Sequence, residues 1–205
     1  MKIAGIYLAA GSSSRMRSNK LKLNVGTMTL GSLALETALK SSLDEIYIVI
    51  KETDDAVWLP TDMKLNTKCT IVPCPNAHDG QSESLKCGIR RAQANHMDAV
   101  LVMLADQPFI TVQMLEEMIA CMKTNPTCRF VATTIEQNII PPVLLSSSMY
   151  SELLSLRGDV GAKALLQGEF LQKGQVLTCL DKRLVFDVDT QEDYQTLLTN
   201  KEKTK

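Results

Sequence analysis

Ile3-Ala4-Gly5-Ile6-Tyr7-Leu8 is an unbroken apolar run that passes directly into Ala9-Ala10-Gly11-Ser12-Ser13-Ser14-Arg15. A strand apolar on both faces belongs inside a parallel sheet, and small residues after it let the chain turn tightly into the next element. The same pattern recurs at residues 46–50, 69–72, 99–104 and 130–133. Helical spacing lies between several of these runs. Residues 30–43 carry Leu33, Leu35, Ala38 and Leu39 on one face, and residues 84–95 carry Leu85, Gly88, Ile89 and Ala92. Thr111 is placed to cap a helix that buries Met114, Leu115, Met118, Ile119 and Met122.

Strands alternating with helices predict right-handed crossovers and one Rossmann-like, three-layer α/β/α domain with a mostly parallel sheet, over residues 1–198. Such a sheet binds ligands at the carboxyl ends of its strands. The C-terminal third is less regular. Pro141-Pro142 break the chain, residues 143–145 read as a short strand, and residues 149–167 read as a helix interrupted at Gly158. Residues 175–180 and 184–187 are expected to form a returning hairpin. Thr190 then caps a last helix, and residues 199–205 form a frayed tail.

With 205 residues and 45% hydrophobic content the chain supports one packed core. Its 22 basic and 23 acidic side chains nearly cancel and are dispersed, which argues against nucleic-acid or membrane partners and leaves small polyanions as ligands. The N-terminal apolar run is too short to span a membrane and precedes no cleavage pattern, so a cytoplasmic protein is expected. Six cysteines without a Cys-x-x-Cys pair, and two histidines, provide no zinc spacing and read as reduced, mostly buried thiols.

The connection after the first run, residues 8–20, combines small residues, hydroxyls and three cations. Main-chain N–H groups of Leu8, Ala9, Ala10, Gly11, Ser12 and Ser13 can approach a triphosphate as an anion nest, with Arg15 and Lys20 neutralising its charge. Neither the Walker A order nor the G-x-G-x-x-G fingerprint is present, and a solvated surface loop is the plainer alternative. Asp106 follows the run 99–104 directly, at the sheet's carboxyl edge, where an oxygen ligand can hold Mg²⁺. Asp187 and Asp189 follow a second apolar run and are alternative partners for the same ion. Asp106 could instead shape the turn before Pro108, and Asp189 could cap the last helix. The polar loop 75–85 has N–H groups and hydroxyls suited to the edge of a base, or Ser82 serves as a helix cap.

Leu8-Ala9-Ala10-Gly11-x-Ser13-x-Arg15-Met16, with Asn19-Lys20-Leu21 after it, resembles the signature of the MobA-like NTP transferases. The chain is similar to the branch holding molybdenum cofactor cytidylyltransferases and purine-catabolism accessory proteins, over nearly its full length. The resemblance implies the nucleotide-diphospho-sugar transferase fold. It also implies Lys20, Arg15 and Asp106 as catalytic groups, and Asp106 with Asp187 or Asp189 as Mg²⁺ ligands. The Gly80-Gln81-x-x-Ser84-Leu85 segment is carried over to the nucleotide pocket. Ala10 stands where the guanylyl-transferring branch has a glycine, which implies CTP. The implied acceptor is molybdopterin, and the implied protein partner a molybdenum hydroxylase such as xanthine dehydrogenase.

The segment 157–163 resembles a family stretch near the acceptor, where Arg157 and Lys163 could meet a second anion or simply be solvated. The chain departs from the family at residues 139–143, where a Gly-x-Pro is usual, and after Lys20 it lacks the family's proline. Two rival readings share these residues: transfer to a sugar or alcohol phosphate, and a non-catalytic carrier of the molybdenum cofactor. A carrier has no need for the triphosphate clamp or for Asp106.

Overall fold

A computed structural model describes residues 1–11, 14–16 and 19–202. Strand β1 (Ile3–Leu8) is buried along its whole length at the centre of a seven-stranded sheet. A two-residue ribbon, β2 (Asn24–Val25) and β3 (Met28–Thr29), leads into helix α1 (Leu30–Leu39). Then come β4 (Glu45–Lys51), the single turn α2 (Thr61–Lys64), β5 (Cys69–Cys74), α3 (Gln81–Ala94) and β6 (Ala99–Leu104). The chain continues through α4 (Val112–Thr124), β7 (Phe130–Ile135), β8 (Asn138–Ser146), α5 (Tyr150–Ser155), β9 (Gln175–Thr178) and α6 (Gln191–Glu202). Strand order is β5-β4-β1-β6-β8-β7-β9. All pairs are parallel except β6–β8 and β7–β8.

The alternation along β1 sorts the core into two layers. Ile3 and Tyr7 join Ala34, Leu35 and Ala38 of α1 and Leu115, Met118 and Ile119 of α4. Ala4, Ile6 and Leu8 face the opposite way, against Leu85, Ile89 and Ala92 of α3 and Leu153 of α5. Helix α3 sits close on the sheet because Gly88 has no side chain there: a Cβ would lie 2.6 Å from Ile6. This is the expected three-layer α/β/α arrangement with a mostly parallel sheet. Thr111 caps α4 by accepting the Met114 N–H, as its position predicted.

Five expectations change. Pro141-Pro142 do not end an element; they sit in a bulge of β8, where the pairing with β7 jumps from Ala132–Val143 to Thr133–Ile140. Proline has no ladder N–H, and the Thr133 hydroxyl donates instead to the Pro142 carbonyl at 2.9 Å. The helix expected over 149–167 stops at Ser155, and Gly158 and Asp159 instead accept N–H groups of Ser82 and Gln81 at the start of α3. The returning hairpin does not form. Residues 175–178 pair in parallel with β7, and Asp181 accepts the Arg183 N–H to start a short 3-10 turn at Lys182–Val185.

Residues 199–202, expected in a frayed tail, continue α6 to Glu202, and residues 203–205 lie outside the described residues. The cysteines are all free thiols, but only Cys74 and Cys128 are buried and the other four are half-buried. Among the described residues no helix is long and apolar enough to cross a membrane.

Candidate active site

β1 and β6 end in register, Leu8 beside Leu104, so the chain after each strand leaves the sheet at one place. The Ala9 N–H donates to the Val49 carbonyl and the Ala105 N–H to the Leu8 carbonyl, which clamps both turns between neighbouring strands. A third segment reaches the same edge from far along the chain. The Val188 N–H donates to the Asp106 carbonyl at 3.0 Å and sets Asp187 and Asp189 on either side of it. Thr190 and Asp193 then form a reciprocal cap on α6, with the Thr190 N–H donating to the Asp193 carboxylate at 2.7 Å and the Asp193 N–H to the Thr190 hydroxyl. Capping therefore falls to Thr190 and leaves the Asp189 side chain for another role.

Lys20 opens a 3-10 turn, Lys20–Lys22, capped by Asn19, and Leu21 beside it is buried. Its stem is buried with it: Lys20 is 7% exposed. The Lys20 ammonium donates to Asp106 Oδ2 at 2.6 Å and to Asp189 Oδ1 at 2.7 Å, and Arg15 pairs with Asp189 Oδ2 at 3.1 Å. Burial alone would depress the lysine pKa, but the two carboxylates outweigh it and hold Lys20 protonated, above its ordinary value.

Asp187 takes the opposite shift. Loss of water around its carboxyl, then repulsion from Asp106, push its pKa up to about 6 although much of the residue stays exposed; Gln107 opposes the shift with a hydrogen bond.

The cluster forms one wall of an open cavity of about 600 Å³. Leu8, Ala9, Ala10 and Gly11 line it, with Arg15, Lys20, Asp106 and Asp189. Gly80, Gln81 and Ser84 line it from α3 and the loop before it. Asp187 is not part of this lining, nor are Arg157 and Lys163, which are exposed. Ser12 and Ser13 lie outside the described residues.

Lys51 and Asp159 line the cavity too, and sequence reasoning had not singled them out for the pocket. Lys51 is the first polar residue after the apolar run 46–50, the same signal that marks Asp106. Asp159 carried no such signal, since it is placed by accepting the Gln81 N–H at 3.2 Å.

Gly80 joins the two halves of this rim. Its backbone (φ 120°, ψ 173°) is a conformation that only glycine adopts freely, and a Cβ would lie 2.5 Å from the Gly158 carbonyl. Gly80→Ala should therefore cost at least the 1–3 kcal/mol or so typical of such strain and unfasten residues 158–161 from α3. Chemical denaturation should show that loss, and nucleotide affinity should fall with it.

The residues fit a divalent cation in two respects. Among the described residues Asp106 Oδ1 is buried without a hydrogen-bond partner, and Asp187, whose pKa is raised first by loss of water and then by repulsion from Asp106, would be held ionised by a nearby cation. Among the described residues no three Asp, Glu, His or Cys side chains are already drawn together as a metal cage. Here Lys20 compensates Asp106 and Asp189 instead.

A family model described as the MobA-like NTP transferase domain matches residues 5–176. The chain belongs to the MobA-like NTP transferase family. It is 33% identical to the purine catabolism protein PucB of Bacillus subtilis (strain 168) over 197 residues, covering 94% of each chain. It also resembles a crystal structure of Rv0371c in complex with manganese from Mycobacterium tuberculosis H37Rv, at 25% identity and a TM-score of 0.75, covering 97% and 99% of the two chains. A nucleotidyl transferase from Methanothermobacter thermautotroptrophicus shares the fold at 18% identity and a TM-score of 0.81, covering 100% and 99%. Membership in the MobA-like family makes this chain a nucleotidyltransferase.

Proposed function

We propose that the chain transfers CMP from CTP to the terminal phosphate of a molybdopterin-type acceptor, releasing pyrophosphate, in the maturation of a molybdenum hydroxylase such as xanthine dehydrogenase. One observation carries the reading: a buried lysine held between two strand-end carboxylates, at the mouth of a cavity floored by residues 8–11. The branch containing PucB agrees with it, as does Ala10 in the phosphate loop.

In this reading an oxygen of the acceptor phosphate forms a bond to the α-phosphorus of CTP, and the bond to the bridging oxygen of the β-phosphate breaks in line. A phosphate monoester has its second pKa at about 6, so its attacking oxygen is ionised at neutral pH and no general base is required. Catalysis is then positioning and charge neutralisation. Lys20 and Arg15 turn their N–H donors to the phosphates, the close-set backbone of residues 8–11 admits them, and Gly80, Gln81 and Ser84 meet the nucleoside. Asp106, with Asp189 or Asp187, would hold Mg²⁺, which when bound offsets the charge developing on the phosphate oxygens. The structure of Rv0371c in complex with manganese agrees with the use of a divalent ion.

Thermal melting with Mg²⁺ and each NTP in turn tests the nucleotide. CTP at 100 times its Kd should stabilise the protein by about 2.7 kcal/mol. Equal shifts with GTP would undo the inference from Ala10, and pyrophosphate release with molybdopterin against sugar phosphates then decides the acceptor.

The raised pKa of Asp187 gives a separate check in metal-free buffer. An unfolded aspartate ionises near 4, so below that pH both states are protonated and the residue contributes nothing. Between about 4 and 6 the unfolded chain ionises first, and the folded state is penalised above that range. Melting scans at pH 4.5 and 7 should show a small loss of stability with rising pH that Asp187→Asn reduces.

A further inference from the structure

Two thiols lie directly behind the nucleoside side of the cavity. Cys74 is the last residue of β5 and is 1% exposed; Cys87 is half-buried, in the second turn of α3. The Cys87 thiol donates to the Cys74 sulfur at 3.0 Å. Between them in sequence runs the segment that supplies Ala77, His78, Gly80, Gln81 and Ser84 to the cavity wall. Ser84 stands one turn before Cys87 in α3, so this side chain of the cavity wall and the Cys87 thiol lie on the same side of the helix. Such a pair is unusual, since two sulfurs this close need approach by only about 1 Å to reach a disulfide bond length of about 2.05 Å.

We propose that Cys74 and Cys87 form a redox-modification site whose closure to a disulfide pulls the start of α3 against the end of β5, shifts Ser84 in the cavity wall and weakens nucleotide binding. The second half of this statement rests on the nucleotide reading of the cavity; the first does not.

The chemistry balances with a peroxide as oxidant. The Cys87 thiolate attacks one peroxide oxygen, the O–O bond breaks, and hydroxide leaves with Cys87 as a sulfenic acid. The Cys74 sulfur then attacks the Cys87 sulfur, forming the S–S bond and expelling water. The thiol protons end in two water molecules, and the two sulfurs together give up two electrons.

The order of events follows from exposure. Cys87 is the thiol a small oxidant can reach, whereas burial and then the neighbouring Cys87 push the Cys74 pKa up to about 12 and keep it a thiol. The S–S bond ties the second turn of α3 to the end of β5, and Ser84, one turn before Cys87 on the same helix, moves with it.

Oxidation of the full-length protein with hydrogen peroxide, followed by alkylation, digestion and mass spectrometry, tests the site. Titratable thiols should fall by two, from six to four, with a linked Cys74–Cys87 peptide. CTP affinity in Mg²⁺ should drop about 3- to 10-fold, the scale of one lost hydrogen bond, and dithiothreitol should restore it. Cys87→Ser should keep the affinity of the reduced protein and lose the response to oxidant.

A missing linked peptide overturns the proposal, and so does a linked peptide with unchanged CTP affinity. Hydrogen exchange across residues 76–84 reads the same movement without nucleotide. Loosening there on oxidation, with no CTP bound in either state, upholds the thiol pair and overturns the nucleotide reading instead.

Discussion

Asp106→Asn should reduce pyrophosphate release by about 10² to 10³, the usual cost of removing one preorganised charge contact from an active site. The carboxylate has two duties that an amide cannot share. Its Oδ2 accepts from Lys20 at 2.6 Å, and its Oδ1 is a buried acceptor without a partner among the described residues, suited to a hard cation. Folding should survive, because the turn itself is held by main-chain bonds from Ala105 to Leu8 and from Val188 to Asp106. The variant carries an internal check. Repulsion from Asp106 is one cause of the raised Asp187 pKa, so that value should move back toward the ordinary carboxylate range when the charge is removed. Near-normal turnover would refute the role of Asp106 as a metal ligand.

Lys20→Met is expected to harm both activity and stability. Removing one partner of a fully buried ion pair costs about 3–5 kcal/mol. Asp106 and Asp189 retain 21% and 34% exposure, so water screens part of that loss. A cost of about 1–3 kcal/mol is a reasonable expectation, and each kcal/mol lowers the Tm of a domain this size by roughly 2–4 °C. Mg²⁺ should recover much of that Tm, since a dication can compensate the carboxylates that the ammonium served. Turnover should stay depressed by about 10² or more, because the metal cannot replace a donor to the phosphates. A Tm that ignores Mg²⁺ in the variant would mean that these carboxylates do not bind the ion.

Much of this site could be read from the chain because its parts are local. A parallel strand must end where its apolar run ends, so the residues that follow Leu8 and Leu104 had to meet at one sheet edge. Residues 8–11 and Asp106 were legible for that reason. Lys51 obeys the same rule and went unnoticed only because it stands alone, without a motif around it. Gly80, Gln81 and Ser84 were legible as a motif, but the left-handed Gly80 and its fit against Gly158 were not.

What the sequence determined by itself was the alternation of strand and helix, the two-faced burial of β1, and a turn of small residues at the carboxyl edge. These depend on periods of two and 3.6 residues within short windows. Only the tertiary structure decided between Asp187 and Asp189 as the residue facing the cavity, by the single bond from Val188 to Asp106. It also decided that residues 175–178 pair with β7 in parallel, that residues 158–161 strap the rim, and that Cys74 and Cys87 touch. Each of these is a contact between segments whose own patterns are indifferent to it, settled by which hydrogen-bonding groups and surfaces were left unsatisfied once the core had packed.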